Sequence, residues 1–283
     1  MKLLIINSTN YVANSNNTFT YTFPHNPRFK DEQIAVSSLS MYNSIFNIEA
    51  IRGNNTFRIV LNFATPVNLD IVFPDGFYSV EDMQFYIEQK MIENGYYCVD
   101  STGKNEYFFH LYTNSVYYNI NAVCEAIPTS AQASAKSWTQ GVGATWTYPV
   151  TAKTSQFTTF SNTWGDLIGY LASTTLPATP QTTIQTFSST NTPNIQPINS
   201  LILRCNLLNS QHSIPNDILF TQPINTAFGN MIQSGNHPYI WHDIASNSYS
   251  NITITFNDQL FNPVILKDSA ITLTIAIRNK NEH

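Results

Sequence analysis

Residues 251–256 read Asn-Ile-Thr-Ile-Thr-Phe (NITITF), and this stretch decides the fold class because apolar and polar side chains alternate along it. A period of two is typical of a β-strand with one face in a core and the other facing solvent or a partner. After a turn at 257–259, residues 271–275 repeat the pattern. The two runs are therefore predicted to form the last hairpin of a β-protein.

Similar runs, bounded by Gly, Pro or Asn, recur along the chain in two series. The first comprises 18–23, 33–41, 56–63, 67–73, 106–112 and 116–127, and the second comprises 200–208, 217–222, 239–244, 250–256 and 271–278. Many short strands at modest spacing predict an all-β sandwich or barrel.

One helix interrupts this pattern, directly after residues 73–76 (FPDG), where Pro and Gly end the preceding strand. Ser79 is placed as an N-cap with Asp82 three residues later, which is the spacing of a capping box. The apolar side chains that follow recur at helical spacing up to a stop at Asn94-Gly95, and they are Val80, Met83, Ile87 and Met91. We interpret this helix as a structural connector on the end or flank of the β-domain.

Residues 128–197 differ in character, since they are rich in Ser, Thr, Ala, Gln and Pro and poor in charge. We predict a discontinuous β-domain of 1–127 plus 198–283 and an insertion of 128–197. Trp138, Trp146 and Trp164 would gain substantially by burial, so a β-rich projecting subdomain is favoured over disorder. Within it, 157–170 carries enough apolar residues for a short docked turn or helix.

The composition favours a protein that buries much of its exterior. Of the 283 residues, 42% are hydrophobic and only 11% are charged, against about 25% charged in typical soluble domains. Neutral polar groups cost less to desolvate than ions, which suits contacts between subunits. A secreted or glycan-binding protein would also fit. The net charge of −5, without a basic cluster, disfavours nucleic-acid binding.

Targeting and redox signals are weak. The apolar run at 3–6 stops at Asn7, short of the roughly 7–15 residues of a signal peptide, and no segment approaches the roughly 20 apolar residues of a membrane span. Cys98, Cys124 and Cys205 are far apart in sequence. They predict buried thiols rather than a disulfide framework or a zinc site.

A search for catalytic groups finds only isolated candidates. His237 and His242 lie five apart, so on a strand they point to opposite faces and would not share a metal. Cys205 lies in a strand interior. Asp75 with Glu81 or Asp82 could be considered a glycosidase pair, yet turn and cap roles account for Asp75 and Asp82. We therefore predict no catalytic, cofactor-binding or metal-binding residues, no cofactor and no enzymatic activity.

Six short motifs, in order, resemble the minor capsid (penton) proteins of virophages and Polinton-like viruses. They are residues 73–83 (FPDGFYSVEDM), 116–120 (VYYNI), 166–169 (DLIG), 199–208 (NSLILRCNLL), 213–217 (SIPND) and 256–259 (FNDQ). The similarity runs from about 18 to 278 and is weakest in 128–156.

The resemblance implies a single jelly roll that forms homopentamers at icosahedral vertices, beside major capsid proteins of two jelly rolls. It implies a virion protein made and assembled inside the host cell, with the insertion as an outer domain and a host receptor or glycan as that domain's candidate partner. It offers no catalytic residues. The alternative is a carbohydrate-binding jelly-roll module. Trp138 and Trp146, if exposed, would stack on sugars in either case, although packing of the insertion explains them equally well.

Overall fold

The computed structural model describes residues 1–210, 213–234 and 238–281, and the chain forms two compact units. One unit joins Met1–Ile45 to Ile198–His283, and we call it the jelly-roll unit. The other is the continuous segment Phe46–Pro197, which we call the inserted unit. Each unit has its own hydrophobic core.

The elements follow in chain order. The strands before the inserted unit are β1 (Lys2–Asn7), β2 (Thr18–Thr22) and β3 (Glu32–Tyr42). The inserted unit contains β4 (Thr56–Leu61), β5 (Val67–Val72), α1 (Val80–Glu93), β6 (Cys98–Val99), β7 (Asn105–Glu106), β8 (Phe109–Asn114), β9 (Asn119–Cys124), β10 (Ala126–Ile127), α2 (Ser130–Ala135), β11 (Thr139–Gln140), β12 (Lys153–Thr154), β13 (Gln156–Thr159), α3 (Trp164–Ile168), β14 (Thr175–Leu176) and β15 (Gln185–Ser188). In the described residues after it lie β16 (Ser200–Cys205), β17 (Ile218–Pro223), β18 (Met231–Gln233), β19 (His242–Asp243), β20 (Asn251–Asn257) and β21 (Ile271–Asn279).

The strands of the jelly-roll unit form two antiparallel sheets. The first has the order β1-β21-β3-β18, with β19 also paired to β3, and the second has the order β17-β16-β20-β2. Since β21 occupies one edge of β3, the short strands β18 and β19 share the other edge and fill one strand position. With these two short strands counted as one position, the two sheets have the strand order of an eight-stranded jelly roll, which confirms the predicted fold class.

The alternation at 251–256 is confirmed, but the predicted hairpin is wrong. Ile252, Ile254 and Phe256 are fully buried in the jelly-roll core, whereas the threonines between them face outward. Strand β20 pairs with β2 and β16, and β21 pairs with β1 and β3 in the other sheet. The pattern shows which face of a strand is buried, while the pairing depends on a crossover between sheets that the pattern does not encode.

Helix α1 has the predicted cap and buried face. The Ser79 hydroxyl accepts a hydrogen bond from the Asp82 amide at 3.1 Å, and the Asp82 carboxylate accepts one from the Ser79 amide at 3.0 Å. The four apolar residues predicted to form its inner face are all buried. The backbone turns away at Gly95, whose φ of 68° favours glycine.

The predicted location of α1 is wrong, because the helix belongs to the inserted unit and not to the jelly roll. It packs on β8, where the Gln84 side-chain oxygen accepts a hydrogen bond from the Leu111 amide at 2.7 Å. The sequence shows the capped end of the helix, but not the sheet against which it packs.

The two units divide the chain differently from the predicted boundaries. The compact units meet at Ile45/Phe46 and at Pro197/Ile198, whereas the predicted insertion begins at 128 and ends at 197. The reason is strand pairing: β4 pairs with β13, and β9 pairs with β15, so residues beyond 128 extend sheets that begin before it. Residues 128–197 are therefore not a separate compact unit.

Aromatic stacking and buried amides organise the inserted unit. Phe57 stacks on Trp164 with ring centroids 3.9 Å apart, and Phe63 stacks on Trp146 at 4.2 Å. The buried Asn62 amide donates to the Thr154 carbonyl at 2.8 Å. The composition suggests that Asn and Gln lie on the surface. Some of them are instead buried in this unit, where their amides hydrogen-bond to loop backbone.

Candidate assembly faces

The carboxylates considered for catalysis have structural roles. Asp75 accepts a hydrogen bond from the Ala50 amide at 2.7 Å, and Asp82 caps α1. Glu81 accepts a hydrogen bond from the Thr113 hydroxyl at 3.1 Å. Among the described residues, no group of three or more His, Cys, Asp or Glu side chains could hold a metal ion.

The three cysteines are buried free thiols, as predicted. Desolvation by burial raises the pKa of Cys205 to about 12 and that of Cys124 to about 12. Burial also raises the pKa of Cys98. All three thiols therefore stay protonated at neutral pH, and the thiolate that nucleophilic chemistry requires is disfavoured.

Of the histidine pair considered for metal binding, His237 lies outside the described residues, so only His242 can be described. Burial lowers the pKa of His242, which favours the neutral imidazole. The neighbouring Asp243 carboxylate is bound to the Lys280 ammonium at 2.8 Å and to the Gln33 amide at 3.0 Å. These contacts hold the edge of the first sheet together.

Of the two alternatives left open for Trp146, the structure supports packing and not sugar stacking, because the residue is buried. Its indole N–H donates to the Gly95 carbonyl at 2.7 Å, and its ring packs on Phe63. Trp138 is half-buried, with the Lys136 ammonium 4.3 Å from its ring centroid. Packing inside the inserted unit accounts for Trp146.

Threonines predominate on the outward surface of the second sheet of the jelly-roll unit, which we call the threonine face. It comprises Thr18, Thr20, Thr22, Thr221, Thr253 and Thr255, with Ile202 and Arg204 of β16 on the same side. The hydroxyls of Thr20 and Thr253 lie 3.1 Å apart across two strands. Arg204 is the only charged side chain in the four strands, and it is paired with Asp217 at 2.8 Å.

The outward surface of the first sheet is different, and we call it the aliphatic face. It comprises Leu3, Ile5, Ser38, Ser40, Tyr42, Met231, Thr272 and Thr274. Leu3 and Ile5 are 60% and 56% exposed on the edge strand β1, while Leu4 and Ile6 between and beside them point inward. Apolar residues therefore line both sides of this strand.

Charges in the first sheet are confined to one end. Lys2 lies 3.3 Å from Glu32, and the Arg278 guanidinium donates to the Gln33 side chain at 3.0 Å. The register places these residues where β1 begins and β21 ends. The rest of the aliphatic face is uncharged.

Leu3 and Ile5 were missed as functional candidates because residues 3–6 were compared only with a signal peptide. The signal was nevertheless present, since an unbroken apolar run is typical of a strand covered on both faces. In the described part of the chain, no helix is long and apolar enough to cross a membrane.

No protein-family model and no curated protein matches this chain. Two solved structures are similar to it. The crystal structure of the mavirus penton protein shares 10% identity with it over 92% of this chain and 90% of that chain, with a TM-score of 0.44. This likeness concerns the fold alone. A chain in the cryo-EM structure of the Sputnik virophage shares 10% identity over 93% of this chain and 92% of that chain, with a TM-score of 0.42.

Proposed function

We propose that the protein is a structural protein of a virion, namely a penton or minor capsid protein. In this proposal five copies form a ring at each icosahedral vertex and contact a major capsid protein built from two jelly rolls. The jelly roll is a fold of viral capsid and lectin domains. The ordered motifs at 73–83, 199–208 and 256–259 support the capsid assignment over the lectin one.

The observation that carries the proposal is the pair of unlike, largely uncharged faces on opposite sides of one sandwich. A closed head-to-tail ring needs two different contact surfaces on every subunit. The cores of protein interfaces are depleted of charge, and hydroxyl groups are less costly to desolvate than ions. The threonine face and the aliphatic face meet both requirements.

The chemistry of the remaining residues supports a role without catalysis. The cysteines are buried, and the carboxylates near α1 act in a turn and a cap. We infer that the protein acts by assembly and that its partners are further copies of itself and the major capsid protein. The inserted unit, placed in sequence between β3 and β16, is in this proposal the domain on the outer surface of the virion.

Mass photometry of the purified protein, alone and mixed with its major capsid protein, tests the assembly. We expect a species with the mass of five chains in the mixture, whether or not it also forms from the protein alone. Changing Leu3→Lys and Ile5→Lys together should abolish it, because two charges would have to be desolvated in each contact. Val150→Lys is the matched control, since Val150 is 97% exposed in the inserted unit. Monomers alone under all conditions, or full assembly of the double variant, would contradict the proposal.

A further inference from the structure

The inserted unit contains a groove of about 440 Å³ whose lining comes from three segments. These are Phe77, residues 113–115 and 118–120 at the β8–β9 connection, and residues 193–196. No lining residue is charged. The volume lies within the range of roughly 300–1,000 Å³ that small-ligand sites occupy.

A buried amide joins two of these segments. Asn47 is 1% exposed, and its side-chain nitrogen donates to the carbonyls of Tyr78 at 2.8 Å and Ile195 at 2.9 Å. Its side-chain oxygen accepts from the Tyr78 amide at 2.9 Å. The side-chain amide of Asn47 therefore links the segment that contains Phe77 to the segment that contains Ile195, through its nitrogen and its oxygen. The groove is a preorganised part of the fold.

The third segment presents an aromatic ring in an unusual backbone conformation. Tyr118 has φ of 50°, in the left-handed region that bulky residues rarely adopt. Its ring is 72% exposed and lines the groove. The adjacent Tyr117 is 75% exposed but does not line the groove. Backbone conformations of this kind cluster at ligand-binding sites, where the surrounding structure maintains them.

The groove also contains polar groups without partners. The side-chain oxygen of Asn119 is buried and forms no hydrogen bond. The side-chain amides of Asn194 and Gln196 make no hydrogen bond to any other described residue, and both side chains are exposed. The exposed amides of Asn194 and Gln196 can donate to and accept from a ligand in the groove, whereas the Asn119 oxygen has no accessible surface to offer one.

We propose that this groove binds a neutral carbohydrate. A pyranose ring has an apolar C–H face that packs on the Tyr118 ring, and hydroxyl groups that can donate or accept. The exposed side-chain amides of Asn194 and Gln196 supply donors and acceptors for such hydroxyls. Binding of an anionic sugar is disfavoured, because the groove has no positively charged side chain to pair with the anion. This inference does not depend on ring assembly and holds for a monomer.

An array of neutral and sialylated oligosaccharides tests the proposal on the full-length protein, with saturation-transfer NMR to measure affinity for the glycans that bind. At least one neutral glycan should bind. Tyr118→Ala should weaken that binding by at least about tenfold, because it removes the ring on which the sugar packs. The thermal midpoint should not change, because Tyr118 is 72% exposed. Tyr117→Ala is the matched control and should bind normally.

Three results would overturn the groove assignment. The first is that no neutral glycan binds or that only sialylated glycans do. The second is that binding persists in Tyr118→Ala. The third is that Tyr117→Ala loses binding as strongly as Tyr118→Ala, which would place the contact on the exposed hairpin tip. Gln196→Ala, a surface change with little risk to folding, should weaken binding more modestly.

Discussion

The two units of this chain bury their side chains in different ways. The jelly-roll unit packs mostly aliphatic side chains, such as Leu203, Ile254 and Ile275, between two sheets. The inserted unit packs stacked aromatic rings, including Phe57 against Trp164, beneath small sheets and long connections. The first unit presents broad, regular outer faces, and the second holds irregular loops in fixed positions.

This difference separates two tasks. A regular sheet face repeats the same spacing over several strands, so a neighbouring subunit can contact it over a wide area. A loop-rich surface can instead form a groove, because residues from distant segments converge there. We therefore assign assembly to the threonine and aliphatic faces and ligand binding to the groove at Tyr118.

The largest expected effect comes from the aromatic core. Trp164 is fully buried, so Trp164→Ala should cost the inserted unit about 3–5 kcal/mol of unfolding free energy through the cavity it leaves. Thiol labelling during urea unfolding separates the units, because Cys124 reports on the inserted unit and Cys205 on the jelly-roll unit. The urea concentration at the midpoint of Cys124 labelling should fall, while the midpoint for Cys205 should not change.

Trp138→Ala provides the matched control for this comparison. Trp138 is only half-buried, so its loss should shift the Cys124 labelling midpoint much less. If Trp164→Ala exposed Cys205 at the same reduced urea concentration as Cys124, the units would unfold together, and their separate cores would not act independently.

A smaller effect should follow from removing the cap of α1. Ser79→Ala deletes the side-chain acceptor for the Asp82 amide and should cost about 1 kcal/mol. Urea unfolding, followed by Cys124 labelling, measures it. Thr129→Ala removes the same kind of cap from the six-residue helix α2 and should cost less. A loss confined to Cys205 labelling would contradict the placement of α1 in the inserted unit, and equal losses in the two variants would contradict the larger contribution expected of the longer helix.

Local features could be predicted from the sequence. The capping box at Ser79 and Asp82 and the inward face of 251–256 depend on neighbours in the chain, so their patterns are complete in the sequence. The buried thiols were predictable for the same reason, since Cys205 lies in an apolar strand.

Features that depend on distant pairing could not be predicted. Nothing in composition changes at Ile45/Phe46, because the boundary is set by which strands β13 and β15 join. Residues 116–127 were predicted as one strand, yet β9 begins only at Asn119 because the chain turns through Tyr118. Tyrosine gives no local signal for positive φ, so the groove could not be found from the sequence.

In the proposed ring, the threonine face of one subunit contacts the aliphatic face of the next. Introducing Ile5→Cys and Thr22→Cys together allows a flexible bis-maleimide to join them in the assembled particle. The native thiols should react slowly at neutral pH, because burial raises the pKa of Cys205 to about 12, as it does for Cys124, and raises that of Cys98.

Denaturing electrophoresis of that cross-linked double variant is the most direct test. A head-to-tail ring predicts a ladder that ends at five chains, while either single cysteine variant remains monomeric because each face meets only the other. Dimers from Ile5→Cys alone would show that the aliphatic face pairs with itself. That result, or an assembled particle without a ladder, would contradict the account.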